Sequence, residues 1–253
     1  MVLGVAFLLV MMYPLYRLME KNSEKARCVQ NMKEIAGALN QYAAEHDDRF
    51  PPLYATGSAG EPALGAGGIP FTWISDVGGF MSERASFRCP SATDEEVAKT
   101  ERIAMSDAAK EKGPIESTYG FYAPYSGYLR SIVEDPNGTI VVAETSNRGA
   151  RGTLDPLPYK DAQGNVLPYD GFAIAWDNDN FEPNALTKLI TRLAFPDSAG
   201  SEFPEDGPAR HDIGITALNA SGGLIYLKPN AARVKYNNGQ LTGLWATPPI
   251  RAR

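Results

Sequence analysis

The chain has 253 residues, 43% apolar and 21% charged, so it can bury a core and is not disordered by composition. Its net charge of -6 argues against a protein that grips nucleic acid through a basic face. Two histidines and two cysteines exclude an ordinary His-rich or Cys-rich zinc site.

Met1–Tyr16 reads MVLGVAFLLVMMYPLY, and the first charged side chain is Arg17. Sixteen helical residues reach roughly 24 Å, slightly short of a ~30 Å hydrocarbon core. A cleaved signal peptide would show a basic start and a small-residue cleavage site. Neither flanks this run. A core helix would not ordinarily be apolar all round and then end in RLMEKNSEKAR. The reading that remains is a membrane-inserted helix.

From Arg17 to about Glu45 the only helix breaker is Gly37. Leu18, Val29, Met32, Ile35, Ala36, Leu39, Tyr42 and Ala43 recur at the spacing of one helix face. Lys25, Gln30, Lys33, Glu34, Asn40 and Gln41 take the other face. One continuous helix of about 45 residues would be about 68 Å long, which predicts a stalk seated on a head. Pro14 is expected to kink it. The division is therefore residues 1–48 as stalk and 49–253 as globular head, with an insertion over 145–208.

The head opens with the turn-rich PPLYATGSAGEPALGAGG, a surface loop without phosphate-cradling spacing. Glu95 to Lys112 is charged and Ala-rich, predicting a solvated helix or a loop. Thr118–Tyr122 and Thr139–Glu144 read as strands. Within the insertion a short helix is expected near Asn184–Leu193. Ile213–Leu218 with Leu224–Leu227, and Arg233–Tyr236 with Leu241–Leu244, read as two hairpins. The prediction is an α+β protein whose antiparallel sheet packs on the helix stripe.

Several segments together resemble a known family. They are Pro14-Leu15-Tyr16-Arg17, then Cys28-Val29-Gln30-Asn31-Met32-Lys33-Glu34-Ile35 with Ala38-Leu39 and Tyr42, and Phe50-Pro51-Pro52. Phe87-Arg88-Cys89-Pro90-Ser91, Ser117-Thr118-Tyr119-Gly120 and Arg210-His211 follow in order. In this order they resemble bacterial type IV pilin-like proteins, and more closely the pseudopilin-like proteins with a C-terminal His-X9-Asp-Gly motif. Ser221 stands where that motif has Asp, followed by Gly222. The family's mature start, Phe or Met then Thr-Leu-Ile-Glu, is not found here. Counted as a mature chain from Met1, Val5 takes the place of its glutamate.

The resemblance implies a pilin-like fold and a structural subunit of a type IV pilus-like or type II secretion-like filament. Val5, Phe7, Leu8, Leu9, Pro14 and Leu15 would form the assembly helix. The expected partners are further copies in a helical filament, other pilins, an inner-membrane assembly platform and, before assembly, membrane lipid. The head would stand in the periplasm or at the cell surface, where Cys28 and Cys89 could form a disulfide or remain two buried thiols.

Asp177-Asn178-Asp179-Asn180 carries alternate oxygens suited to Ca²⁺ through Asp177 and Asp179, or forms a solvated acidic turn. No other cofactor is expected. His211 beside Asp212 lacks a nucleophile elbow, so a structural role is expected and no catalytic residue is assigned. Trp73, Trp176 and Trp245 read as core or rim anchors. The alternative function is a membrane-tethered extracytoplasmic binding protein that does not polymerise. An anchored hydrolase is the least supported.

Overall fold

The computed structural model describes residues 2–53, 55, 63–65, 69, 71–81, 87–94, 97–103, 113–122, 125–146, 159–160, 166–167, 173–174, 192–193, 210–211, 214–228, 235–237 and 240–242. Helix α1 (Val2–Glu45) has 44 residues, about 66 Å of helix. Leu, Met, Ala, Glu and Lys dominate it, which are good helix formers. Pro14 lies inside α1, which continues past it as one element. The helix ends where Asp47 and Asp48 turn into the left-handed region, with φ of 52° and 55°. The Asp48 amide closes that end by donating to Ala43 O at 2.9 Å.

The expected membrane span is corrected. Among the described residues, no helix is long and apolar enough to cross a membrane. The uncharged run stops at Tyr16, and a longer window takes in Arg17, Glu20 and Lys21.

Strands β1 (Ala98–Thr100) and β2 (Ile115–Ser117) form a two-stranded antiparallel sheet. They are followed by β3 (Tyr119–Tyr122) and β4 (Ile140–Ser146). The insertion supplies β5 (Tyr159–Lys160), β6 (Val166–Leu167), β7 (Ala173–Ile174) and β8 (Arg192–Leu193). Last come β9 (Ile215–Asn219), β10 (Leu224–Leu227), β11 (Lys235–Asn237) and β12 (Gln240–Thr242). The main sheet runs β10-β9-β4-β3-β7, with β8 on the end of β4. Neighbours β3 to β10 are antiparallel, β7 is parallel to β3, and β11 pairs with β12 as a hairpin.

The architecture is thus an N-terminal helix with antiparallel sheets, an α+β arrangement, with one parallel edge that the sequence did not signal. Two further expectations change. The charged stretch from Glu95 to Lys112 contains β1, because Thr100 there is buried and bonds to Thr72 and Ser75 at 2.8 and 3.0 Å. Tertiary partners override its composition. Of the helix expected near Asn184–Leu193, Arg192 and Leu193 are strand β8, pairing with Ser146 and Thr145; the remainder lies outside the described residues.

The stripe Met32, Ile35, Leu39 and Tyr42 is buried with the sheet residues Phe121, Ile140, Val142 and Leu218. Phe121 links this core to Phe50 and Trp73, both with ring centroids 5.8 Å away. Trp73 opens the short helix α2 (Trp73–Val77), which Thr72 and Ser75 cap reciprocally. At the foot of α1, His46 stacks on Tyr42 at 3.9 Å. Nearby Asp76 is pushed up to about 6 by burial, with the His46 charge acting in the opposite direction.

The native state therefore holds the Asp76 proton more tightly than the unfolded chain does. Its stabilising share is complete below the ordinary carboxylate range and is lost as pH rises through about 6. Discounted for partial exposure, the loss is roughly 1–2 kcal/mol. Asp76→Asn is expected to raise stability by that amount at neutral pH. Urea unfolding across the pH range checks this, and the gain should fade towards about pH 4.

Candidate functional site

Two features stand out: a buried polar corner and a bare helical segment. The corner begins with Cys28 on the inner face of α1. Cys28 is joined to Cys89 by a disulfide, S–S 2.03 Å, with Cα atoms 5.0 Å apart. The 61-residue separation makes this cross-link worth about 4 kcal/mol in the chain-entropy account.

The Phe87–Ser91 segment is strapped down on both sides. Towards the helix, Asn31 Nδ2 donates to Arg88 O at 2.8 Å, and Ser91 Oγ donates to Glu24 Oε2 at 2.9 Å. Towards the sheet, Cys89 N donates to Thr118 Oγ1 at 2.8 Å, and Thr118 N donates to Phe87 O at 2.9 Å. Arg88 adds ion pairs to Glu116 and Asp94. The Arg-Cys-Pro-Ser motif, Pro90 included, is thus a strap between layers.

Behind the cystine, His211 Nε2 lies 3.5 Å from Cys89 Sγ and 2.9 Å from Glu144 Oε1. Glu144 projects from β4, and its Oε2 accepts from Thr216 N on β9 at 3.0 Å. His211 is held by a backbone bridge to Gly214, and its carbonyl accepts from Tyr226 Oη at 2.5 Å. Cys28, Cys89 and Glu144 are fully buried and His211 is 4% exposed. Arg210 donates to Thr145 O at 2.5 Å and to Thr118 O at 3.4 Å. This brings a positive charge to the same wall. Burial and the Glu144 charge push the Tyr119 hydroxyl well above its usual range.

The structure brings Cys28, Cys89 and His211 together with Glu144. Ser221 and Gly222 instead shape the β9–β10 turn. There Ser221 Oγ donates to Asn219 Oδ1 at 2.8 Å, and Gly222 adopts φ 89°. In the sequence Glu144 stands only as the last residue of a predicted strand, and Asp212 lies outside the described residues. The available signal was a carboxylate within an otherwise apolar, β-branched strand sequence from Thr139, since a charge buried in such a strand requires a partner. Asp177 and Asp179, the candidate calcium ligands, lie outside the described residues, as do Trp176 and Trp245. Trp73 is a core residue.

The second feature lies at the other end of α1. Every residue from 11 to 19 is exposed, and seven of them are large and apolar. Met11, Leu15 and Met19 are 61%, 55% and 64% exposed. Val5, Phe7, Leu8, Leu9 and Pro14 lie on the same helix. Near the edge of the head, Lys25 Nζ sits over the Tyr226 ring at 4.5 Å. Comparison of the chain with family models, curated proteins and solved structures finds no match.

Breaking the buried His211–Glu144 pair strands the group that remains, and loss of Glu144 also strands the Thr216 amide. Glu144→Ala is expected to cost about 3–5 kcal/mol with the disulfide intact. His211→Ala should add less than its separate cost in that background, a coupling that a urea double-mutant cycle measures.

Proposed function

We propose that the chain is a structural subunit of the type IV pilin or pseudopilin kind, which assembles with further copies of itself into a filament. The observation that carries this reading is the division of α1 into two halves. The half from Cys28 to Ala43 lays its apolar stripe on the sheet, while Met11 to Met19 leaves its apolar side chains in solvent. A run of bare Met, Leu and Tyr on a protruding helix gains stability by packing on its like. Helices of neighbouring subunits would form the filament interior, and the acidic heads its outer shell.

The order of motifs described in the sequence supports the same reading. So does the disulfide, which suits a head that works in an oxidising, extracytoplasmic compartment or at the cell surface. Pilins of other types and an assembly platform are the corresponding partners. The reading assigns no catalytic residue, and the polar corner serves to fix the helix to the head.

Purified full-length chain is expected to sediment as large assemblies and to show filaments by negative-stain electron microscopy. Met12→Glu combined with Leu15→Glu should abolish assembly and leave the melting temperature of the head within about 2 °C, because both positions are exposed. A wild-type chain that stays monomeric would favour the tethered binding protein instead.

A further inference from the structure

The polar corner has a composition that the disulfide alone does not require. The ligand atoms of Cys28, Cys89, Glu144 and His211 all lie within 4.8 Å of one another, and all four residues are buried. We propose that the chain, when its cysteines are reduced, holds one zinc-type divalent ion at this corner through Cys28 Sγ, Cys89 Sγ, His211 Nε2 and a Glu144 oxygen.

Two thiolates with an imidazole and a carboxylate suit zinc in both softness and number. A tetrahedron with ordinary zinc bond lengths sets nitrogen and sulfur about 3.6 Å apart, nitrogen and oxygen about 3.4 Å, and the two sulfurs about 3.8 Å. His211 Nε2 is already 3.5 Å from Cys89 Sγ and 2.9 Å from Glu144 Oε1. The largest change is in the sulfur pair, which must open from 2.03 Å. Cleavage of the bond permits that. Thr216 N already orients Glu144 through Oε2, leaving Oε1 directed at the corner. The set would carry one net negative charge, and Arg210, anchored on Thr145 and Thr118, offsets it.

The chemistry balances with a dithiol or phosphine as reductant. Two electrons and two protons enter, the Sγ–Sγ bond breaks, and two thiols form. The reductant leaves as its own disulfide, or as phosphine oxide with water supplying the oxygen. Zinc then releases both thiol protons to solvent. The hydrogen on Nε2 passes to solvent or to Nδ1, which frees the nitrogen lone pair. Oxidation by a disulfide-exchanging partner reverses this, returning the ion to solvent. Metal and disulfide are therefore alternative staples of one corner, the metal serving a chain not yet oxidised.

The test uses the full chain, reduced in denaturant with a phosphine and refolded with Co²⁺ as probe, beside an oxidised control. The expected result is one equivalent bound by the reduced chain alone, with tetrahedral visible bands, a thiolate charge-transfer band and native far-UV circular dichroism. Zn²⁺ should displace the cobalt. Glu144→Gln and His211→Ala are each expected to weaken binding at least about tenfold. Where either variant fails to fold, the wild-type spectrum decides, since it reports thiolate ligation and tetrahedral geometry directly. The proposal is overturned if the reduced wild type binds no stoichiometric ion, if it stays unfolded with the metal present, or if folded variants bind as tightly as wild type.

Discussion

The structure depends on a fully buried cross-link between the long helix and the strap that ties it to the sheet, two segments distant in sequence. Cys28 on α1 is covalently tied to Cys89, Cys89 touches His211, and His211 is paired with Glu144 on β4. Helix, strap and central strand thus meet at one dry point. His211 Nε2 and both Glu144 oxygens have partners there, which is what makes the burial of that pair tolerable. With the helix pinned, its inner stripe settles on β4 and β9, and the aromatic chain of Phe50, Phe121 and Trp73 fills the space beyond.

The same pin gives α1 its unequal halves. Close to the head, Ser91 and Tyr226 engage Glu24 and Lys25. Towards the N-terminus the apolar side chains from Met11 to Met19 stand in solvent. A helix that packed along its whole length would leave no such surface. One that packed nowhere would not hold a position relative to the head. The proposed assembly follows from this geometry: the rigid corner sets where the bare half points, and the bare half supplies the apolar area.

Much of the fold was legible in the sequence because its signals are local. The stripe from Val29 to Ala43 follows helical spacing, and the β-branched run from Thr139 and the turn after Asn219 set strand and hairpin. What escaped was non-local. β1 exists through partners at Thr72 and β2, against a charged, Ala-rich composition. The parallel edge β7 depends on docking beside β3. The expected membrane span rested on the uncharged run from Met1 to Tyr16, which falls slightly short of a hydrocarbon core. At the corner, counting cysteines and histidines excluded a site built from one residue type. It could not reveal a set assembled from two cysteines, one histidine and a glutamate spread over 28 to 211.

The central claim is that the exposed half of α1 becomes buried among copies of itself. Hydroxyl-radical footprinting of the methionines, read by mass spectrometry, addresses it directly. Monomeric and assembled fractions separated by size would be labelled side by side. Met32, buried in the core, serves as the internal reference. The account predicts that Met11, Met12 and Met19 oxidise readily in the monomer and become strongly protected in the assembled fraction, with Met32 unchanged. Equal oxidation of these three methionines in both fractions would contradict it.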